Sequence, residues 1–482
     1  MILLKNSAVS FVFARYTIYG VQLLNTIWIG IILGPIGFAT WSFIQLIMQY
    51  GAQLNFGLPF ILTNQLAIHG VSSTEGSEAL RRSVQLSKVV ILSALLLFLG
   101  EYFFQVFSVI KFLSFPLFFA VLSTAVIQHY NQLWLAVARI ENKLALIIFA
   151  QALPQILLSM VLLFTGAEYL VEILVGISLF SQIVVYLLLR RGSTKENENQ
   201  ELGSMRVFIG ESLKLFLYNA FFYLIIITTR AEVSYFHTKE TFGQFSFAFI
   251  FINVLLLGMD ALGFLWFPKM IKRFSELSNH LIVETLRRSQ DLYLTIGKTL
   301  IMLIILGYPL VNLLTDKYAD AQIYLYVGIL SIGFYLVSFG LAALLMAKSK
   351  NHWIAWMSVI LFLVNLIFLT VAFSYFGMSA QWALLVTGLI YLIQNGVLVF
   401  FVVRTLRDKH LTVLRLFFNS RVKILFFIVT TFLILDIVMT GSISWYGYAI
   451  ILIYLVMDMF RWKHWKSEMA WMNHMEVMDE HK

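Results

Sequence analysis

Cysteine is absent from the 482-residue chain, which excludes disulfide bonds and thiolate metal sites. Charged residues make up only 12% of the sequence, roughly half the share that a soluble protein carries. Three motifs typical of enzymes are also missing: a phosphate-cradling glycine loop with its lysine, a His-Glu metal motif and a nucleophile elbow. We therefore predict no enzyme activity, no cofactor and no metal.

Apolar residues are abundant instead, at 60% of the chain, and the mean hydropathy is +0.86. They form long runs rather than amphipathic stripes, and a bilayer core needs about 20 apolar residues per helix. This pattern predicts an all-α membrane protein with about fourteen transmembrane helices. The spans are expected near 8–33, 38–66, 84–108, 112–137, 144–165, 169–189, 208–229, 241–267, 291–314, 320–347, 353–376, 380–403, 422–440 and 443–460.

The basic residues are distributed unevenly around these spans. Of the 34 Lys and Arg residues, 27 fall at the termini or in loops after even-numbered spans, four fall in the other loops, and three lie inside spans. Lys and Arg collect on the cytoplasmic side of membrane proteins. We therefore expect both termini in the cytoplasm. The first apolar run contains Arg15 and has no small-residue cleavage site, so it should be retained as the first span.

A hexapeptide recurs in the two halves of the chain. Glu78-Ala-Leu-Arg-Arg-Ser83 returns as Glu284-Thr-Leu-Arg-Arg-Ser289, 206 residues later, and the same offset carries Gly37 onto Gly243. A third pair, Ala138–Asn142 and Ala347–Asn351, matches at an offset of 209. Because the matches keep their order, they favour an internal duplication, which is common among transporters with a site between the repeats.

The polar, mixed-charge stretch at 190–206 is predicted to be a cytoplasmic linker between two parallel lobes. The lobes are six-helix units at 1–189 and 207–403, arranged around a central cavity. Residues 404–482 add two spans and an amphipathic cytoplasmic tail, whose Trp462 and Trp465 suit either a helix on an anionic membrane surface or an interfacial anchor.

Several short motifs resemble one transporter group. The turn between the first two spans reads Leu33-Gly-Pro-Ile-Gly-Phe-Ala-Thr-Trp-Ser42, span 2 ends in Asn55-Phe-Gly-Leu-Pro59, and span 8 ends in Phe267-Pro-Lys269. Together with the six-plus-six-plus-two topology, these motifs resemble the polysaccharide-transporter branch, the Wzx-type flippases, of the multidrug/oligosaccharidyl-lipid/polysaccharide exporter superfamily. The resemblance covers most of residues 1–403.

This resemblance implies a flippase for a polyprenyl-pyrophosphate-linked oligosaccharide, such as an O-antigen, capsule or other exopolysaccharide unit. The flippase would lie in a bacterial inner membrane and move its substrate from the cytoplasmic to the outer leaflet by alternating access. Its expected partners are the polymerase and glycosyltransferases of the same pathway, and no nucleic acid is expected. Members of the group often carry Asp-Arg at the end of span 7, where this chain has Thr229-Arg230. The role of that acid is therefore absent here or has moved.

Three cations lie inside the spans, where an ionisable group is costly unless it faces a cavity or a partner. They are Arg15 in span 1, Lys214 in span 7 and Lys298 in span 9, all expected to enter from the cytoplasmic side. A pyrophosphate has the opposite charge, and arginine offers it a bidentate fork. We predict that these cations bind substrate. The alternative is snorkelling to the headgroups.

Neutral polar residues follow helical spacing on spans 1, 2 and 8 and are predicted to bind sugar hydroxyls, with hydrogen bonds between helices as the alternative. The candidates are Gln22, Asn25, Gln45, Gln49, Gln53 and Asn253. Asp260, on the same face as Asn253, is the candidate coupling-ion site.

Three other functions compete with the flippase. A multidrug or cation antiporter of the same fold typically needs an acid in its first lobe, whereas span 1 carries Arg15. A peptidoglycan-precursor lipid flippase would also use a cationic chamber. A membrane glycosyltransferase or polymerase needs a sizeable exofacial loop with carboxylates, and the outer loops here are short.

Overall fold

The computed structural model describes residues 7–53, 55, 57–71, 73–104, 114–164, 166, 168–192, 205–406 and 412–473. Within these residues every regular element is a helix. Nine helices of the described part are long and apolar enough to cross a membrane, and a tenth apolar helix, Trp445–Phe460, is shorter. The prediction of an all-α membrane protein with about fourteen helices is confirmed.

The chain forms two compact units, Met1–Tyr235 and Phe236–Lys482. The first unit contains seven helices: α1 (Ser7–Gln53), α2 (Leu58–His69), α3 (Thr74–Phe104), α4 (Phe115–Ile140), α5 (Leu144–Leu162), α6 (Leu170–Gly192) and α7 (Met205–Phe236). Nearly all of α7 therefore belongs with the first unit. The expected boundary at the linker 190–206 stays a prediction, and residues 193–204 lie outside the described part.

Helix α1 contains the first predicted span and residues 38–53 of the second. The second span was expected to continue to 66, but its remainder lies in a separate helix, α2. Its backbone leaves the helical region at Gly34, where φ is 64° and ψ is 176°. A side chain with a Cβ rarely adopts that positive φ, and Pro35 removes a backbone donor at the same point. The Gly34-Pro35 pair is therefore a kink that separates the two spans. The helical segments before and after it follow each other directly, with no loop between them.

The second unit contains ten helices and two 3₁₀ turns. The helices are α8 (Lys239–Glu276), α9 (Asn279–Asn312), α10 (Ala321–Ile332), α11 (Leu341–Ala347), α12 (Asn351–Phe376), α13 (Ala380–Leu406), α14 (Val413–Phe417), α15 (Arg421–Thr440), α16 (Trp445–Phe460) and α17 (Trp462–Asn473). The 3₁₀ turns are Asp316–Tyr318 and Gly333–Ser338.

The predicted span 320–347 is not one continuous helix. Helix α10 passes into the 3₁₀ turn Gly333–Ser338, the chain then takes a left-handed conformation at Gly340 with φ of 81°, and α11 completes the span. A Cβ at Gly340 would lie 2.6 Å from Met270 Cε and 2.9 Å from Leu286 Cδ1. Both the conformation and the tight packing require glycine here.

The internal duplication has a structural counterpart in two loops. After α4, Asn142 has φ of 54°, and the amide of Lys143 donates to the carbonyl of Ala138. After α11, Ser349 has φ of 57°, and the amide of Lys350 donates to the carbonyl of Leu345. Both loops are left-handed helix ends of the Schellman type. Their common geometry, 207 residues apart, supports the duplication that the sequence indicates.

The amphipathic tail forms α17, which packs on α9. Trp465 and Met472 of α17 are buried, and the Ser289 hydroxyl of α9 donates to Met472 Sδ at 3.5 Å. Arg288 of α9 forms two hydrogen bonds of 3.0 Å with the carboxylate of Glu468 and lies 4.1 Å from the Trp471 ring. The second copy of the repeated hexapeptide therefore holds the tail in place.

Candidate substrate-binding site

Arg15 lies on the first part of α1, about two turns from the helix start. Its side chain is half-buried, and its guanidinium carbon lies 5.6 Å from the Tyr19 ring one turn further along. Gln22, the next predicted residue on this face, is also half-buried. No Asp or Glu occurs anywhere in α1, so this helix supplies only positive charge.

A second arginine lies near Arg15. Arg139, on the last turn of α4, is close enough for the two like charges to repel each other. The carboxylate that follows it, Glu141, forms an ion pair of 2.8 Å with Lys143. A multivalent anion that approaches this end of the first unit would be attracted by both positive charges. Arg139 was not among the predicted site residues, although it lies within the repeated segment Ala138–Asn142.

Asn25 is used in helix packing. Its side-chain amide donates to the backbone carbonyl of Gln155 on α5 at 2.9 Å, and its oxygen accepts from the Ser159 hydroxyl at 2.8 Å. Asn25 is buried, and these bonds occupy both ends of its amide. This is the helix–helix role that was the alternative to substrate binding. A direct contact of Asn25 with substrate therefore has no geometric support, although it stays untested.

One glutamine of the second part of α1, Gln49, contacts α7. Gln45 and Gln49 are half-buried, and Gln49 Oε1 accepts a hydrogen bond of 3.2 Å from Nη1 of Arg230, which is buried. The next residue, Tyr50, shares a hydrogen bond of 3.0 Å with the Thr228 hydroxyl. The side chain of Gln53 lies outside the described part of the chain.

Arg230 is thus a further functional candidate. In the sequence it stood out only because Thr229-Arg230 replaces the Asp-Arg that the resembled family often carries. Arg230 lies within α7, less than two turns before the end of this helix at Phe236, whereas the sequence placed it in a loop after the predicted span 208–229. The structure buries it against the glutamine stripe. Glu232, two residues later, also exerts its charge on Tyr50, so this end of the polar face carries both signs.

Lys298 does not present a free cation. Its ammonium group forms an ion pair of 2.8 Å with Asp458 on α16 and lies 4.0 Å from the Tyr454 ring. Lys298 is 3% exposed and Asp458 is 9% exposed. Asp458 therefore neutralises Lys298 inside the second unit. Because the pair satisfies both charges, we do not carry Lys298 into the proposed site.

The three remaining candidates stay predictions. Asn253 and Asp260 lie on α8 in the second unit, and both are half-buried. Lys214 belongs to α7, but its side chain lies outside the described part of the chain.

The structure buries a second lysine, Lys423, which the sequence did not predict to be buried. Lys423, counted there as a loop residue, lies on the first turn of α15 and is 1% exposed. Its ammonium donates to Gln290 Oε1 at 2.5 Å, and the adjacent Ser420 hydroxyl donates to Asp291 Oδ1 at 2.5 Å. Together with the Lys298–Asp458 and Arg288–Glu468 pairs, these bonds attach α15, α16 and α17 to one face of α9.

No protein-family model matches the chain, and no curated protein matches it in sequence. Solved structures of transporters match its fold. A multidrug resistance MATE family transporter of the MOP superfamily, in an inward-facing conformation, has a TM-score of 0.59 at 13% identity and covers 83% of this chain and 100% of its own. The lipid II flippase MurJ, in an inward closed conformation, has a TM-score of 0.60 at 12% identity and covers 98% of this chain and 100% of its own.

A third similar structure is a MOP superfamily transporter from Pyrococcus furiosus, whose binding pocket has reversed polarity. It has a TM-score of 0.55 at 13% identity and covers 83% of this chain and 96% of its own. The chain therefore has the fold of MOP superfamily transporters. Because the sequence identity to these structures is only 12–13%, the similarity shows the fold alone. The substrate has to be inferred from the residues of this chain.

Proposed function

We propose that this chain is a flippase for a polyprenyl-pyrophosphate-linked oligosaccharide, which it moves between leaflets by alternating access. The observation that carries the proposal is the half-buried Arg15 on α1, a helix without any carboxylate, together with the positive charge of Arg139 on α4 of the same unit, which acts on it. A diphosphate offers several oxygens to two guanidinium forks, so its binding turns their repulsion into attraction.

The glutamine stripe supports the oligosaccharide part of the substrate. Gln45 and Gln49 present neutral donors and acceptors one turn apart, and sugar hydroxyls need both. The short motifs at 33–42, 55–59 and 267–269 resemble the Wzx-type flippases in particular. As a transporter, the chain needs no catalytic group.

The coverage of the comparisons agrees with a lipid flippase. The MATE transporter covers 83% of the chain, and the uncovered remainder has about the length of residues 404–482. The match to MurJ covers 98% of the chain, so it includes nearly all of the residues beyond the length that matches the MATE transporter. This favours a peptidoglycan-precursor flippase as the second candidate function, whereas an antiporter would need an acid that α1 and α2 do not supply.

Glycan export measures the proposed function directly. The chain is expressed in a bacterial strain that lacks its own oligosaccharide flippase and accumulates the lipid-linked unit on the cytoplasmic face. We expect export to be restored with at least one oligosaccharide unit. Rescue of a strain that lacks its lipid II flippase, without any glycan export, would identify the second candidate instead, and drug resistance alone would identify an antiporter.

Arginine variants connect this assay to the site. Arg15→Ala and Arg139→Ala should each lower export about tenfold or more, because each removes a charge-assisted contact of about 1.5–3 kcal/mol. Arg15→Lys should recover only part of the export, since it keeps the charge and loses the fork. Arg190→Ala, an exposed arginine at the end of α6, is the matched control and should export normally. Normal export by both Arg15→Ala and Arg139→Ala would refute the diphosphate site.

A further inference from the structure

The break in the tenth span, 320–347, depends on side chains of neighbouring helices. A break inside a span frees backbone carbonyls, which need donors within the protein because lipid supplies none. In the 3₁₀ turn Gly333–Ser338, Asn395 Nδ2 of α13 donates to the Phe334 carbonyl at 2.6 Å. Gln290 Nε2 of α9 donates to the Val337 carbonyl at 3.2 Å. Two side-chain amides therefore stabilise the non-helical backbone of this turn.

The amide of Gln290 is oriented by a charge. Lys423 of α15 is in its ammonium form when it donates to Gln290 Oε1, at 2.5 Å. An ammonium group can only donate hydrogen bonds, so Gln290 has to turn its oxygen toward Lys423 and its NH2 group toward Val337. The charged form of Lys423 thus selects the amide orientation that stabilises the break.

The helix that carries Lys423 also packs directly against the break. A Cβ at Gly333 would lie 3.2 Å from Cζ of Phe426, which follows Lys423 by one turn. The ring of Phe427 stacks on that of Phe334, with 5.8 Å between the centroids. Helix α15 therefore contacts the turn through apolar rings and, by way of Gln290, through a hydrogen-bonded chain.

The charge of Lys423 is only partly compensated. Lys423 is 1% exposed, and among the described residues its ammonium has no contact with a carboxylate. The charge of Asp291, the neighbour of Gln290, acts on it, but Asp291 Oδ1 accepts from the Ser420 hydroxyl. Burial of an ammonium without a carboxylate in contact is costly. The neutral amine is therefore a state that the folded protein can reach.

Asp291 is the ionisable side chain that acts on this ammonium. The helices packed against α15 are α9, α10 and α16, and neither α10 nor the 3₁₀ turn contains a charged residue. The other ionisable side chains of this region have interactions of their own: Lys298 with Asp458 and the Tyr454 ring, Tyr326 with Tyr448, and Arg287 and Glu468 with the charge of Asp291.

We propose that Lys423 is a proton-binding site that controls the break in the tenth span. The neutral amine can also accept a hydrogen bond, which leaves the amide of Gln290 free to turn away from Val337. The Val337 carbonyl then has to find a backbone donor, and the 3₁₀ turn rewinds into α-helix. Its six residues would shorten by about 3 Å, since the rise falls from about 2.0 to about 1.5 Å per residue. This control does not depend on which substrate is transported.

Fluorine NMR of one labelled cysteine measures the state of the turn, because the native chain has no cysteine. Tyr335→Cys places a trifluoroethyl label on the half-buried residue of the turn, in the full-length chain in lipid nanodiscs. We expect one main signal at about pH 6 and a second signal that grows toward about pH 10, a range in which a solvated lysine stays mostly charged. A spectrum that is the same across this range would overturn the proposal.

Variants of Lys423 assign the titration in the labelled chain. Lys423→Met has no donor for Gln290, so the ratio of the second signal to the first should rise about fivefold or more at about pH 6, the effect of one lost hydrogen bond. Lys423→Arg keeps a cation and should hold the first signal across the range. Arg421→Met, at an exposed cation on the same helix, is the matched control and should titrate like the native chain. A titration that persists unchanged in Lys423→Met would assign the proton to another group and refute the proposal.

A change at Gln290 decides the question even if the Lys423 variants do not fold. Gln290→Glu keeps a partner for Lys423 and removes the donor to Val337. We expect the second signal to predominate at every pH, although Lys423 stays charged beside the new carboxylate. Retention of the first signal alone by Gln290→Glu would show that the break does not depend on this amide, and the proposed control would then be wrong.

Discussion

At the scale of single residues, the contact between Gln49 and Arg230 offers a test of charge. Gln49→Glu places a carboxylate where an amide oxygen now accepts from Arg230 at 3.2 Å. The new pair would have a stronger, charge-assisted bond, so the folded protein should be at least as stable. The carboxylate would also cancel the positive charge that an anionic substrate meets, and we expect export to fall about tenfold.

Thermal unfolding in detergent and glycan export measure the two effects of Gln49→Glu separately. A lower melting temperature of Gln49→Glu would mean that its loss of export results from misfolding. Gln49→Met, which has a similar size and no charge, is then the comparison. Full export by a stable Gln49→Glu variant would mean that substrate does not approach Arg230.

Gly340 is the residue on which the broken tenth span depends. Gly340→Ala adds a Cβ in the left-handed region, which costs about 1–2 kcal/mol, and this Cβ meets Met270 and Leu286 at less than 3 Å. We expect a melting temperature clearly below that of the native chain, measured in detergent. Gly307→Ala on α9 is the control, because a Cβ there meets no atom within 4 Å and alanine favours the helix. A variant Gly340→Ala with native stability would contradict the packing described around α11.

At the scale of helices, the buried pair between Lys298 and Asp458 fixes α16 on α9. Removal of one partner of a buried ion pair leaves an uncompensated charge and costs about 3–5 kcal/mol. Lys298→Met and Asp458→Leu should therefore each destabilise the protein, and the double variant should recover most of the loss. A double-mutant cycle on the unfolding free energies gives the coupling between the two side chains.

This cycle also distinguishes the pair from a binding site. If Lys298 acted only in packing, the double variant would recover stability and glycan export together. Recovered stability without recovered export would return Lys298 to the substrate site that the sequence predicts. Additive losses, with no recovery in the double variant, would contradict the ion pair itself.

At the scale of the whole molecule, the distribution of Lys and Arg predicts which side of the membrane each loop faces. A reporter inserted at Asn197 and a reporter appended after Lys482 should both indicate the cytoplasm, because both flanking regions are rich in basic residues. A reporter inserted after His237, in the short connection between α7 and α8, should indicate the opposite side. Reporters at Asn197 and Lys482 on different sides would contradict an even number of spans between them.

The sequence predicts where the buried cations lie along the chain, and the structure shows what each of them contacts. Hydropathy predicts that Arg15 and Lys298 lie within spans, because an ionisable residue inside an apolar run is visible in the sequence. It does not predict their partners, since Asp458 is 160 positions from Lys298 and Arg139 is 124 positions from Arg15. The structure pairs Lys298 with an acid, whereas Arg15 lies near another cation, so similar sequence contexts lead to opposite roles.

The sequence by itself determined the fold class and the approximate number of helices, and the duplication that it indicates stays a prediction. These depend on local composition and on the bilayer, which admits only helices whose backbone groups are bonded internally. Only the tertiary structure decided which polar residues are engaged in packing, such as Asn25 with Gln155, and which helix faces remain open, such as that of α3. Those outcomes depend on neighbours that are distant in the sequence, and a periodic pattern on one helix does not specify what covers it.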